Sequence, residues 1–126
     1  MIETKNIKAS KEKNVDAIYI HIPFCSKKCE YCDFCTFIRM EKEYRKYTDY
    51  LIKEIRMYPK IKYDTIYFGG GTPSLLPAEM INEILNELDW SENAEITLEL
   101  NPTDMTFEKL KKFRKIGINR LSIGIQ

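Results

Sequence analysis

The sequence predicts an α/β fold on a parallel sheet, a partial (βα) barrel of about four strands. Strand-like apolar alternation recurs four times, amphipathic helical patterns fill the intervals, and the chemistry-bearing residues gather where strands end. Strand, helix, strand, helix is the mark of parallel βα units.

The first strand is expected at Ala17 to Ile22, where Ile18, Ile20 and Ile22 point one way and Tyr19 and His21 the other. Tyr44, Tyr47, Leu51, Ile55 and Tyr58 then recur at helical steps. A second strand follows at Thr65 to Phe68, and a second helix carries Ile81, Ile84, Leu85 and Leu88, with Pro77 near its first turn. In the third strand, Glu95 to Leu100, the residues Ile96, Leu98 and Leu100 oppose Thr97, Glu99 and Asn101. A third helix uses Phe107, Leu110, Phe113 and Ile116 and ends at Gly117, which can take a left-handed conformation. The fourth strand, Leu121 to Ile125, sets Leu121, Ile123 and Ile125 against Ser122, Gly124 and Gln126. A half-solvated sheet is rare among parallel sheets flanked by helices. The favoured reading packs the apolar face on the helices and turns the polar face into the barrel, toward a ligand.

The 126 residues, 44% hydrophobic and 31% charged, have an ordinary globular composition and a length for one domain. Roughly two-thirds of the unfolded surface can be buried at this size, enough for a core without staples. Twenty basic and nineteen acidic side chains leave a net charge of +1 with no long run of either sign. Nothing there asks for nucleic acid or an anionic membrane. Residues 1–16 read as a polar extension with no apolar signal core, and no apolar run approaches the ~20 residues of a membrane span. A cytoplasmic protein is expected. Its clustered thiols then point to metal or redox chemistry rather than to disulfides.

All four cysteines fall between Cys25 and Cys35. Cys25, Cys29 and Cys32 form C-x3-C-x2-C on the loop leaving the first strand, at the carboxyl end where parallel α/β folds place their chemistry. Structural zinc usually draws on two separated ligand pairs. Three close thiolates suit a [4Fe-4S] cluster with one iron left open; closure by Cys35 and a four-thiolate zinc loop are the alternatives. A second motif, YFGGGTPSLLP from Tyr67 to Pro77, ends a strand in three glycines. It has neither the Lys-Ser/Thr of a Walker loop nor G-x-G-x-x-G spacing. A plain tight turn is one reading; backbone amides left free for a polar ligand is the other.

The stretches YIHIPFCSKKCEYCDF, GGGTPSLL, LELNP and GINRLSIGIQ, in that order, resemble the start of the radical S-adenosylmethionine enzymes. Within them the match is to the group containing oxygen-independent coproporphyrinogen III oxidase (dehydrogenase) and the HemW-type haem chaperones. The resemblance covers nearly all of residues 17–126 and implies the N-terminal part of a TIM-like partial barrel. It implies that Cys25, Cys29 and Cys32 bind the [4Fe-4S] cluster and that S-adenosylmethionine chelates the open iron. Reductive cleavage would then give methionine and a 5'-deoxyadenosyl radical. By the same resemblance Gly70, Gly71 and Thr72 cradle the methionyl part, and Tyr19, Tyr31, Glu99 and Gln126 also contact the cosubstrate. Haem or a porphyrinogen, and an electron donor such as flavodoxin or ferredoxin, are the implied partners.

Without the resemblance Glu99 could equally be a carboxylate with no function. His21 reads as a satisfied interior histidine, Pro23 and Phe24 as shaping the cluster loop, and Asn101 and Pro102 as strand-end structure. The dehydrogenases carry a further cysteine two positions after the third, where this chain has Phe34. Cys35 is displaced by one and is expected to be a non-ligand. The YCDF wording is similar to the HemW type; the dehydrogenase and a truncated cluster-binding module without turnover remain alternatives. Family members continue through further βα units and a C-terminal region, so a fragment, a truncated product and half of an assembly all stay open.

Overall fold

The structure, a computed structural model, describes residues 2–8, 14–25, 37–38 and 41–125. In chain order the strands are β1 (Ile2–Lys8), β2 (Asn14–Ile22), β3 (Phe24–Cys25), β4 (Phe37–Ile38), β5 (Lys62–Gly70), β6 (Asp89–Leu100) and β7 (Arg120–Ile123). The helices are α1 (Tyr44–Ile55), α2 (Ala78–Asn86) and α3 (Phe107–Ile116). The main sheet runs β1-β2-β5-β6-β7, and β3 pairs with β4 in a separate ribbon. The neighbours from β2 to β7 are parallel and joined in sequence through α1, α2 and α3. Right-handed crossovers between sequential neighbours put successive helices on one face of the sheet.

That face is the apolar one. Ile20, Ile22, Ile66, Phe68 and Leu98 are fully shielded, as are Ile81, Ile84 and Leu85 of α2, and Leu51 and Ile55 of α1 join the same core. Each such side chain contributes about 1.5–3 kcal/mol over leaving it in water. The helix stripes end sooner than the periodicity suggests, since Tyr58 and Leu88 lie past the ends of α1 and α2. Two exposed pairs, Arg45 with Glu83 and Arg56 with Glu87, bridge α1 to α2 through forked hydrogen bonds. The third helix stops at Gly117, whose φ of 121° an L side chain rarely adopts. Asn119 then ties the turn to β6: its Nδ2 donates to the Ala94 carbonyl and its Oδ1 accepts from the Ile96 N–H, both at 2.8 Å.

Three features depart from the sequence expectation. The polar opening holds a strand, β1, antiparallel to β2 in the register Ile2↔Ile20, and Ile2 is buried in the core. β5 and β6 begin earlier than predicted, with Asp89 and Trp90 paired to Lys62 and Tyr63 before the register shifts between Tyr63 and Thr65. At that irregularity Asp64 accepts hydrogen bonds from the Asp16 N–H and the Ser91 hydroxyl, which holds three segments together. Third, Phe107 is 69% exposed on a groove also lined by Leu100, Met105, Leu110 and Ile123, and Ile125, past the end of β7, is 92% exposed. Among the described residues no helix is long and apolar enough to cross a membrane.

Phe68 sits at the middle of the core on the central strand, so Phe68→Ala should cost about 3–5 kcal/mol in urea denaturation. A loss below 1 kcal/mol would show that the core is not organised around β5.

Candidate functional site

The carboxyl ends of β2, β5 and β6 bring the polar alternates together. Parallel register pairs Tyr19 with Tyr67 and His21 with Gly69 across β2 and β5, and Tyr67 with Thr97 across β5 and β6. The period of two then places Tyr19, His21, Tyr67 and Glu99 on the face opposite the helices. All four are half-buried. The Tyr19 and Tyr67 rings stack with centroids 5.9 Å apart and planes 21° from parallel. The Tyr19 hydroxyl lies 3.1 Å from His21 Nδ1.

Glycines make room for this arrangement. A Cβ on Gly69 would meet the Glu99 carboxylate and come within 2.7 Å of the Tyr19 ring, so the space above that residue belongs to those two side chains. Gly70 has φ of 118°, and its N–H donates to Glu99 Oε1 at 3.0 Å. On Gly71 a Cβ would crowd the Phe24 carbonyl and lie 2.9 Å from Cys25 Sγ. Two backbone hydrogen bonds stitch the strand end to the cysteine segment: Gly71 N–H to the Ile22 carbonyl (2.8 Å) and Thr72 N–H to the Phe24 carbonyl (2.6 Å). The amides expected to be free for a ligand are therefore taken, by Glu99, Ile22 and Phe24. What the glycines leave is close approach, not open donors.

The electrostatics follow from partial burial. Burial pushes the Glu99 carboxyl above its ordinary range, opposed by the Gly70 N–H and the Tyr67 hydroxyl. Burial, with the Glu99 charge behind it, also raises the Tyr19 phenol, and burial lowers the His21 imidazole. At neutral pH Tyr19 and His21 are thus uncharged, and an ionised Glu99 is an acceptor for a cationic group. From α1, Tyr47 donates to the His21 carbonyl and packs edge-on against Phe24, and burial pushes its phenol up to about 12. That side chain, read from the sequence as part of the helix stripe, braces the end of β2.

Of the predicted site residues, Tyr19, Gly70, Gly71, Thr72, Glu99 and Cys25 gather at this edge, while Tyr31, Cys29, Cys32, Gln126 and also Cys35 lie outside the described residues. Among the described residues no three metal-ligating side chains come together. Cys25 by itself fits one corner of a cluster: it is half-exposed, and Gly71 presents no side chain against its sulfur. The sequence reading passed over Gly69, Tyr67 and Tyr47. The signal for Gly69 was present in the alternation, which puts it on the polar face between Tyr19 and Glu99. Asn101 is strand-end structure as expected, its Oδ1 capping the following turn through the Thr103 N–H. A cavity of about 360 Å³ lined by Arg56, Tyr58, Lys60 and Glu87 lies at the opposite ends of the strands, away from these groups.

Fold and site together define a mainly parallel α/β protein with a polar strand edge beside Cys25. The Radical SAM superfamily profile matches residues 19–126, and the chain belongs to that superfamily. It is 41% identical over 122 residues to the heme chaperone HemW of Buchnera aphidicola subsp. Schizaphis graminum, covering 87% of this chain and 32% of that protein. With HemW of Lactococcus lactis subsp. lactis the identity is 38% over 115 residues, covering 88% and 30%. The solved structure of the radical SAM enzyme coproporphyrinogen III oxidase (HemN) from Escherichia coli superposes with a TM-score of 0.76 at 32% identity, covering 86% of this chain and 27% of that one. The expected fold, a partial barrel of this type, agrees with that match. The chain spans about a third or less of the length of these relatives.

Two predictions follow from this geometry. Gly69→Ala should press on Glu99 and Tyr19 and cost about 1–3 kcal/mol in urea denaturation; unaltered stability would show that the Gly69 floor is not needed. A carboxyl raised in the folded state adds stability below its ordinary range, near pH 4, and loses it as pH rises through the folded value. Glu99→Gln should therefore be more stable than the unsubstituted chain at pH 7, with the advantage disappearing below about pH 4. Thermal melts across that range would contradict this if the glutamine variant were the weaker at pH 7.

Proposed function

We propose that the chain binds a [4Fe-4S] cluster through Cys25, Cys29 and Cys32 and uses the open iron for S-adenosylmethionine. When bound, cluster and cosubstrate supply one-electron reductive cleavage of the sulfonium. The observation that carries the reading is the juxtaposition at the carboxyl edge. Cys25 sits against Gly71 and Thr72, and Tyr19 and Glu99 flank the same strand end.

Each residue has a distinct task in this reading. Gly70, Gly71 and Thr72 let the methionyl part approach the backbone closely, by shape rather than by donated N–H groups. Glu99, held by Gly70 and Tyr67, accepts from the cationic ammonium of the cosubstrate. Tyr19 is the neutral hydroxyl beside it, oriented by His21. Tyr31 and Gln126 complete the contact set. The half-buried setting keeps bulk water from screening these groups.

The porphyrin context comes from the relatives. Greater identity to the two HemW heme chaperones than to the HemN oxidase favours a HemW-like role with haem as the carried ligand. Oxygen-independent coproporphyrinogen III oxidation is the second reading, favoured by the structural match to HemN. A flavodoxin or ferredoxin is the proposed electron source. Binding of a cluster without turnover is the alternative to cleavage.

Reconstituted anaerobically with iron and sulfide, reduced and given S-adenosylmethionine, the chain should release 5'-deoxyadenosine, and Cys29→Ala should fall to background. A loaded cluster without 5'-deoxyadenosine would leave a binding module, and a chain that takes up no cluster would defeat the reading altogether.

A further inference from the structure

We propose that Thr72 tunes the cluster through its first cysteine, the Thr72 hydroxyl donating a hydrogen bond to Cys25 Sγ and making the cluster easier to reduce. This rests on the cluster reading above. It assigns the hydroxyl of Thr72 a task separate from cradling the cosubstrate.

The hydroxyl is aimed by its surroundings. Thr72 is 9% exposed, with Oγ1 4.0 Å from Cys25 Sγ. Its N–H is fixed on the Phe24 carbonyl, one residue from the cysteine. Pro73 follows it and keeps it out of helical backbone, at φ −130° and ψ 87°. Its branched Cβ restricts χ1, so side chain and backbone are held together. On the other side Gly71 brings no side chain against the sulfur; any Cβ there would press on it at 2.9 Å. Backbone stitch, proline and missing Cβ converge on one sulfur–hydroxyl pair.

The chemistry gives the sign. A neutral thiol at 4.0 Å attracts a hydroxyl weakly, whereas a sulfur carrying cluster charge makes the same bond charge-assisted and shorter. Reduction adds one electron to the cluster and transfers no atom. The reduced form is the more negative, so a donor to its sulfur favours it and raises the potential. Second-sphere donors of this kind are an established means of setting metal-site properties.

The test uses the full chain, reconstituted with iron and sulfide and titrated with dithionite in the absence of S-adenosylmethionine, the reduced cluster being read by electron paramagnetic resonance. Thr72→Val, nearly isosteric and without the hydroxyl, should load the same iron and shift the midpoint to more negative potential, and Thr72→Ser should restore it. An unchanged midpoint in Thr72→Val at full iron content overturns the proposal. If valine disturbs loading, Thr72→Ala is read beside it. Loss of cluster from both with retention in Thr72→Ser supports the hydroxyl contact, and equal loss in all three overturns it in favour of packing. Failure of the unsubstituted chain to take up a cluster overturns the site reading and this inference with it, whereas a normal cluster with an unmoved midpoint overturns the Thr72 proposal alone.

Discussion

Parallel pairing of β2 with β5 is the interaction on which the polar edge depends. The register running from Ala17↔Thr65 to Ile22↔Gly70 does two things at once. It puts Ile18, Ile20 and Ile22 with Ile66 and Phe68 against the helices, and it ends both strands at the same level. Because side chains alternate with a period of two, a slip of one residue would send Tyr19 and His21 into the core and the isoleucines onto the polar face. The cost of burying two polar side chains and exposing three isoleucines, several kcal/mol in all, holds the register. Hydrophobic packing on one face thus fixes the positions of the polar groups on the other.

Glycine converts that register into a site. At Gly69 and Gly70 the strand gives up side chains that would contribute to packing, and the volume is taken by the Glu99 carboxylate, the Tyr19 ring and the His21 ring. The Gly70 N–H, in a left-handed conformation, is turned onto Glu99. Glu99 is nevertheless held at an energetic disadvantage by burial, offset only in part by its two donors. A site that strains a charge in this way gains when a cation arrives, since the ligand supplies the missing partner. Ser74, just past the glycines, is buried with no hydrogen-bond partner for its hydroxyl among the described residues, a second place where polarity near this edge goes uncompensated.

Much of this was legible because the signals are local. Ile18, Ile20 and Ile22 alternate without interruption, the stripes of α1 and α2 repeat at helical steps, and Gly117 ends α3 where a left-handed residue is needed. What escaped depends on distant pairing. The run Ile2–Lys8 is too polar to declare itself a strand, and becomes one because β2 offers an antiparallel edge and the core has room for Ile2. The start of β6, ahead of the predicted Glu95, is joined to β5 by the carboxylate of Asp64, which bridges to Ser91. Within the site, Tyr19, Glu99 and the glycines could be named from motif and alternation. That the glycine amides are already spent could not, because their acceptors lie on segments 29 to 49 residues away in sequence.

The cysteine segment is fastened to the glycine end through main-chain atoms on both sides, from Gly71 N–H to Ile22 and from Thr72 N–H to Phe24. Such a fastening is blind to side-chain identity on the acceptor side, whereas on the donor side Gly71 has no room for a Cβ beside the Phe24 carbonyl and Cys25 Sγ. The two halves of the joint therefore face unequal freedom under mutation. One can change its apolar residues while keeping its grip, and the other has almost nowhere to go. Drift on the β2 side can therefore alter the surroundings of Cys25 while Gly71 stays fixed, so the joint anchors one position and leaves its neighbour free to vary.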